Sequence, residues 1–279
     1  IDSTSTQVIV DSLINTKPAS SSDWILHHVM DGDYLDFSPF FKIYLPHFEL
    51  FGLDLSITRH VLFMWLGSIL LFIVMTRVAK AYKSSMVPKG FTNFWELFIV
   101  FVRDEIAKPT IGKGFEKFLP YLLTAFFFIL FGNFLGLIPF SATFTSNIAV
   151  TATMAIFSFI VTQFGGMRSN GVFGYFKGLI PHGVPVLLLP IMIVVEFLGL
   201  LTKPFALAIR LFANMTAGHI VVYALISLIF VMQNVAWAGL AVPMALFIYS
   251  LEILVALLQA YIFTILSGLF IGMAVHQDH

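Results

Sequence analysis

Two long apolar stretches near the C-terminal end constrain the fold of this chain more than any other feature. Residues 184–232 and 235–275 run for 49 and 41 positions and together carry only four charged side chains. A helix of 49 residues would reach about 73 Å, whereas the hydrocarbon core of a bilayer is about 30 Å thick. Each stretch is therefore either one strongly tilted helix or two spans, with a break near Lys203–Pro204 in the first. A short turn at Gln233–Asn234 joins the two stretches as a hairpin.

The composition agrees with a membrane protein. Hydrophobic residues make up 59% and charged residues 11% of the chain, and the mean hydropathy is +0.94. Soluble domains carry about 25% charged residues, so this chain cannot cover an ordinary water-facing surface. A soluble enzyme, a nucleic-acid-binding protein and a disordered regulator are therefore excluded. The chain has no cysteine, which rules out disulfides and Cys-ligated zinc, and no zinc, phosphate-loop or hydrolase motif suggests a metal or cofactor.

The charges are distributed asymmetrically along the chain. Residues 1–55 hold eight acidic and two basic side chains, whereas residues 77–117 hold eight basic and four acidic ones. Loops rich in Lys and Arg stay on the cytoplasmic or matrix side of a membrane. We therefore expect 77–117 on that side and the N-terminal segment on the other.

The sequence predicts an all-α polytopic membrane protein with about five crossing helices and one surface amphipathic helix. An N-terminal extension, residues 1–55, precedes a membrane domain at 56–279. The surface helix contains charges at intervals, and Asn93 followed by Glu96 resembles a capping box at its start. The predicted spans are 57–76, 118–140, 144–164 and the tilted hairpin 184–275, and the surface helix is 88–108.

The N-terminal extension is predicted to be a loop or short surface helices. His27 and His28 lie close to acidic residues in the sequence, but a solvated loop is favoured over a metal site. The chain begins with Ile1 instead of methionine. This is consistent with a removed organellar presequence, and equally with a sequence whose start is incomplete.

Ionisable side chains deep in the apolar stretches are candidate functional residues, because each costs at least about 2.5–3.5 kcal/mol at the bilayer centre. Arg210 is the most demanding of them, since its guanidinium stays protonated and apolar residues flank it on both sides. The candidates are Glu196, Lys203, Arg210, His219 and Glu252, with Asn214 and Gln259 as polar companions.

The spacing of these residues assigns them to faces. Glu196, Lys203 and Arg210 recur every seven residues, so they form one stripe that Asn214 extends. His219 lies nine residues after Arg210, which turns it about 180° away from that stripe. Glu252 and Gln259 share a face of the second helix. In an antiparallel hairpin, His219 and Glu252 reach similar depth and could meet.

Simpler explanations exist for several of these residues. Lys203 could extend to a membrane interface, and Glu196 could be a helix-end residue near the same interface. Arg210 could form a structural ion pair with Glu252 or Glu196. His219 could be a hydrogen-bonded packing residue.

The segment RLFANMTAGH at 210–219, preceded by EFLGLLTKPFALAI at 196–209, resembles the subunit a family of F-type ATP synthases, and LEILVALLQAYIFTIL at 251–266 adds to the resemblance. The resemblance covers roughly residues 56–275. It implies inclined hairpin helices packed against a rotating ring of c subunits. It also implies that Arg210 is the arginine that separates two proton half-channels and interacts with the ring carboxylate. The polar half-channel residues match Asn214, His219, Glu252 and Gln259, with Glu196 toward the other access path.

The resemblance implies a proton-conducting stator subunit that makes no ATP itself and binds no nucleotide. Its partners would be the c-ring proteolipids, the peripheral stalk and other membrane subunits, within a lipid bilayer and without nucleic acid. The order of His219 before Glu252 is similar to mitochondrial members, which implies a multi-pass protein of the mitochondrial inner membrane.

Two other classes compete with this interpretation. A self-contained transporter or channel would place its substrate site at the membrane midplane, but the two long segments carry different polar patterns and show no inverted repeat. A purely structural anchor would not be expected to bury Arg210.

Overall fold

We describe the protein from a computed structural model of the chain. The description covers residues 32, 34–37, 41–46, 49–50, 53–54, 56–84, 90–138, 141–178 and 189–277. His27, His28 and most of the predicted extension therefore lie outside the described residues.

Eight α-helices run through the described part of the chain, and five of them are long and apolar enough to cross a membrane. The helices are α1 (Arg59–Ser84), α2 (Phe91–Phe101), α3 (Lys108–Ile111), α4 (Leu119–Gly136), α5 (Ile148–Asn170), α6 (Val172–Gly178), α7 (Leu189–Val231) and α8 (Ala238–Val275). The five candidate spans are α1, α4, α5, α7 and α8, which confirms the predicted all-α polytopic class.

Over residues 189–231 and 238–275, the two long apolar stretches are each one continuous helix. α7 has 43 residues and α8 has 38, and both continue through an internal proline, Pro204 and Pro243. The alternative break near Lys203–Pro204 is therefore wrong. At about 1.5 Å per residue, α7 is roughly 65 Å long, so it fits a bilayer only if it is strongly inclined. A turn and a short 3₁₀ helix, Val235–Trp237, join α7 to α8 as predicted.

Two short antiparallel hairpins precede α1. Strand β1 (Tyr34–Phe37) pairs with β2 (Phe41–Tyr44), and β3 (Glu49–Leu50) pairs with β4 (Leu53–Asp54). The prediction of loops or surface helices did not anticipate these strands, which are too short for a reliable alternation pattern.

The segment predicted as a surface helix is built in three parts. α2 begins after Gly90 without a side-chain cap, so the capping box at Asn93 and Glu96 is wrong. A π-helical segment, Val102–Ala107, then leads directly into α3. Within this segment Asp104 bonds to Arg103 and Lys108, whose cations hold the pKa of the Asp104 carboxyl well below its usual range. The apolar side chains beyond α2 are buried, so its far end is anchored in the protein.

The third predicted span and its following loop differ from the structure in detail. A 3₁₀ turn, Phe144–Ser146, occupies the predicted start of the span, and α5 begins at Ile148 and extends to Asn170. Asn147 caps α5 by accepting a hydrogen bond from the Ala149 amide. The interval between the predicted spans 144–164 and 184–275 is therefore helical over 165–170 and again in α6.

Helix α4 is the centre of the bundle. In the most apolar part of α4, 56% of the residues are buried within the protein, compared with 11% in the most apolar part of α7. The buried hydrophobic cluster includes Leu122, Phe126, Ile129 and Leu130 of α4. α7 thus presents most of its apolar surface outward, to lipid or to another protein.

Candidate functional site

The predicted meeting of His219 and Glu252 is confirmed. Nδ1 of His219 lies 3.5 Å from Oε1 of Glu252, and the side chains are only 17% and 8% exposed. Gly218 makes this approach possible, because a Cβ at that position would overlap the Glu252 carboxylate. The arrangement places a titratable acid and a titratable base side by side within the α7–α8 hairpin.

The loop between α4 and α5 holds the other side of His219. Thr143 Oγ1 lies 2.7 Å from His219 Nε2, so both ring nitrogens of His219 have a polar neighbour. Gly136 makes room for this contact, since a Cβ there would overlap the Thr143 side chain. Gly132 likewise makes room for the Phe144 ring. Gly132 and Gly136, four residues apart on one face of α4, therefore accommodate this loop.

Asn133 ties the same loop to α8. It accepts a hydrogen bond of 2.7 Å from Thr145 Oγ1 and donates one of 3.3 Å to the Ala256 carbonyl. Both side chains are fully buried. The loop is thus held between α4 and α8, where irregular backbone is tolerated because it is enclosed in protein.

A cavity of about 340 Å³ opens beside the His219–Glu252 pair. We call it the His219 cavity. Its volume is enough for several water molecules, and its polar wall offers them hydrogen-bond partners. The polar lining consists of Arg59, His60, Ser141, Thr143, Ser146, His219, Tyr223, Tyr249 and Glu252.

A second cavity, of about 370 Å³, lies around Glu196. We call it the Glu196 cavity. It is bounded by the first half of α7, the end of α8 and the α5–α6 region, and Lys203 and His276 also line it. Tyr175, another lining residue, donates a hydrogen bond to Gln163. Burial raises the pKa of the Tyr175 hydroxyl, so it stays protonated near neutral pH.

Arg210 and Asn214 lie on α7 between the two cavities. Leu207 lines the Glu196 cavity and His219 lines the other, which separates the two linings by about 18 Å along α7. Asn214 Nδ2 donates a 2.9 Å hydrogen bond to Gln259 Oε1. This bond joins α7 to α8 between the two cavities. Within the residues that the structure describes, the two cavities share no lining residue.

The structure separates the faces of α7 as the spacing predicts. Arg210 is exposed on the outer face, whereas His219 points into the protein. Within the described part of the chain, no ion pair joins Arg210 to Glu196 or Glu252, so that alternative is wrong. Lys203 lies with its Nζ 5.7 Å from the centre of the Phe270 ring, beside the Glu196 cavity.

Sequence reasoning missed several residues of the His219 cavity. His60 on α1 and the loop residues Thr143 and Ser146 come from two distant places in the chain and meet only in the folded protein. His60 could have been noticed, because a histidine within an apolar span is unusual. Among the described residues, no group of three or more His, Cys, Asp or Glu could hold a metal ion.

The fold and this site define a multi-pass membrane protein with a chain of titratable and polar groups in its interior. The family of ATP synthase A chains matches residues 61–272. The chain is 54% identical over 258 residues to ATP synthase subunit a of Chloroherpeton thalassium, covering 91% of this chain and 77% of that protein. It is 48% identical over 261 residues to ATP synthase subunit a 2 of Chlorobaculum tepidum, covering 92% and 74%.

The chain therefore belongs to the ATP synthase A chain family, which forms the proton channel of the F-type ATP synthase. It is a channel component of that complex and does not itself catalyse ATP synthesis. Membership implies association with the c-ring and other subunits. These relatives are bacterial, so the expected mitochondrial location is not supported. The order of His219 and Glu252 does not identify an organellar protein.

Proposed function

We propose that the His219 cavity and the Glu196 cavity are the two half-channels of this subunit, and that Arg210 separates them. The observation that carries this proposal is the placement of two cavities, each lined in part by polar and ionisable side chains, at opposite ends of the α7–α8 hairpin. A proton cannot cross about 30 Å of hydrocarbon unaided, so each side of the membrane needs its own aqueous path to the middle.

The two titratable residues of the His219 cavity are suited to pass protons inward. A contacting histidine and carboxylate titrate as a pair, so a proton gained by one changes the affinity of the other. Asn214 and Gln259 continue the polar path toward Arg210. In the other half-channel, Glu196 supplies the titratable group through which the proton leaves.

Arg210 acts on the ring carboxylate that passes it. Its guanidinium cannot give up a proton, so it repels protons and favours the ionised form of a nearby acid. Ala206, Ala213 and Ala217 share its outer face and are exposed. Small side chains allow another helix to approach closely, which supports contact with a helix of the c-ring. The membrane potential supplies about 2.3 kcal/mol per proton for each 100 mV.

We infer that the membrane is the plasma membrane of a bacterium, with residues 77–117 on the cytoplasmic side and the extension at 1–55 outside. The charge asymmetry and the bacterial relatives support this orientation. The segment 91–111 then lies at the cytoplasmic surface. The peripheral stalk is a further partner of the assembled subunit.

Cysteine labelling of the intact complex tests the two half-channels, because the chain has no native cysteine. Val222→Cys places a thiol in the His219 cavity and Leu200→Cys places one in the Glu196 cavity. Both positions are half-buried on α7. A membrane-impermeant thiol reagent should label Val222→Cys only from outside and Leu200→Cys only from the cytoplasmic side.

A lipid-facing position provides the matched control. Phe72 is 71% exposed on α1, and Phe72→Cys should not react from either side. Labelling of both cavity thiols from the same side would contradict the proposal. The rival transporter is tested in liposomes, where the chain alone should conduct no protons and the chain with its c-ring should conduct them.

A further inference from the structure

His60 belongs to the His219 cavity although it lies on α1, whereas His219 and Glu252 lie on α7 and α8. It is the second residue of α1 and is only 3% exposed. His60 lines the cavity from α1, whereas His219 lines it from α7. A buried histidine within a membrane span costs free energy, so its position requires an explanation.

The α4–α5 loop connects His60 to His219. His60 Nε2 lies 3.2 Å from Ser146 Oγ, and Ser146 Oγ donates a 2.6 Å hydrogen bond to the Thr143 carbonyl. Thr143 in turn contacts His219 through its own hydroxyl. Since the Ser146 hydrogen is used for the carbonyl, His60 donates its Nε2 hydrogen to Ser146. The loop thus holds two histidine rings at the wall of one cavity.

This hydrogen-bonded series is not itself a path for protons. A carbonyl oxygen cannot pass a proton onward along the chain, so the Ser146–Thr143 bond ends the relay there. Transfer between the two histidines must therefore go through the cavity. The loop serves to position the rings.

We propose that His60 is a proton-transfer residue of this half-channel, delivering protons through the cavity to the His219–Glu252 pair. Its imidazole takes a proton from a hydronium ion on the outer side, so an O–H bond breaks and an N–H bond forms. That N–H bond then breaks as the proton passes by way of cavity water, and an N–H bond forms on His219 or an O–H bond on Glu252. The inference rests on the proposed function of the cavity. The other charged or titratable groups that face this space are Arg59 on α1, His219 and Tyr223 on α7, and Tyr249 and Glu252 on α8.

The alternative is that His60 only anchors the loop through Ser146. His60→Gln separates the two roles, because a glutamine amide can still donate to Ser146 but cannot carry a proton. His60→Ala removes both functions. Proton flux is measured in vesicles that contain the complete complex, with the amount of assembled complex as a reference.

For a proton-transfer residue, His60→Gln should conduct as poorly as His60→Ala. Positioned proton-transfer groups contribute about 10²–10⁴-fold in catalysis, and cavity water would replace part of this, so we expect a loss of about tenfold. Added imidazole on the outer side should restore flux in both variants, and the pH dependence of flux should change. Ser68→Ala on the same helix is the control, because its exposed hydroxyl donates a hydrogen bond to the Met64 carbonyl of its own helix.

Wild-type flux in His60→Gln together with a loss in His60→Ala would overturn the proposal in favour of an anchoring role. If His60→Ala fails to assemble, the glutamine variant and its rescue by imidazole decide. Glu252→Gln in the same vesicles distinguishes failure of the proposed half-channel from failure of the proposed role of His60. If Glu252→Gln leaves flux unchanged, the cavity is not a half-channel, whereas loss in Glu252→Gln without loss in His60→Gln removes only His60.

Discussion

The His219 cavity and the Glu196 cavity have similar volumes but hold their ionisable groups differently. In the first, His219 and Glu252 contact each other, and Thr143 holds the ring from its far side. In the second, Glu196 is half-buried, and Lys203 lies over an aromatic ring. His276 donates a hydrogen bond to the Lys113 carbonyl at 3.2 Å.

This difference indicates how strictly each half-channel depends on particular side chains. A coupled pair that is locked by a buried loop can pass protons only while its geometry is intact. In the Glu196 cavity the polar groups are separate from one another, so water can replace any one of them. The His219 side should therefore be sensitive to substitution and the Glu196 side tolerant.

The largest effect is expected at Arg210, which separates the two cavities. Arg210→Lys should abolish coupled ATP synthesis while the complex still assembles, because lysine can lose its charge when desolvated and lacks the planar fork. The measurement is ATP synthesis in energised vesicles, with complex content determined separately. Normal ATP synthesis in a fully assembled variant would show that Arg210 does not separate the two half-channels.

The next largest effect is expected for the His219–Glu252 pair. His219→Ala and Glu252→Gln should each reduce proton flux by about 100-fold, the size of a typical proton-transfer contribution. The double variant should be little worse than the poorer single variant, because contacting residues of one relay are not additive. The pH dependence of flux should shift when either partner is removed. Additive losses, or no loss in His219→Ala, would show that the pair is not a relay.

A substitution outside the His219–Glu252 pair sharpens the comparison, because it disturbs only the Thr143 side chain that holds the His219 ring. Gly136→Ala should displace Thr143, whose side chain occupies the space of the new Cβ. Overpacking of this kind costs about 1–3 kcal/mol of stability, and proton flux should fall because Thr143 no longer holds the His219 ring. Gly239→Ala is the matched control, since nothing lies within 4 Å of its added Cβ. Equal behaviour of the two variants in flux and thermal unfolding would mean that the loop does not support His219.

The smallest effect is expected on the tolerant side. Glu196→Gln should lower flux only about threefold, because other polar groups and water share the lining. The measurement is flux in the same vesicles at several cytoplasmic pH values. A loss as large as that of Glu252→Gln would break the comparison and make the Glu196 cavity equally dependent on one residue.

Much of this site follows from local spacing. The 3.6-residue period separates Arg210 from His219, and the short turn near Gln233 brings His219 level with Glu252. Both inferences need only helix geometry and antiparallel pairing. By contrast, the sequence indicated a possible break near Pro204, which the continuous helix α7 does not have. Proline is tolerated in membrane helices because neighbouring groups satisfy the backbone it leaves unpaired.

The α4–α5 loop illustrates what local spacing could not predict. Gly136 and Thr143 are only seven positions apart, but their close approach depends on how the loop folds back on α4. His60 and Ser146 are separated by 86 positions and meet through tertiary packing. No periodicity within one helix carries information about such contacts.

The sequence by itself determined that this chain is a membrane protein, that its two long apolar stretches form a hairpin, and that Arg210 and His219 lie on opposite faces of the first stretch. Hydropathy and helical periodicity are properties of single segments, so they can be read without a partner. Only the tertiary structure decided which side chains line each cavity and how His219 is held. Those contacts depend on the packing of α1, α4 and the α4–α5 loop against the hairpin, and packing selects partners by shape, across long stretches of chain.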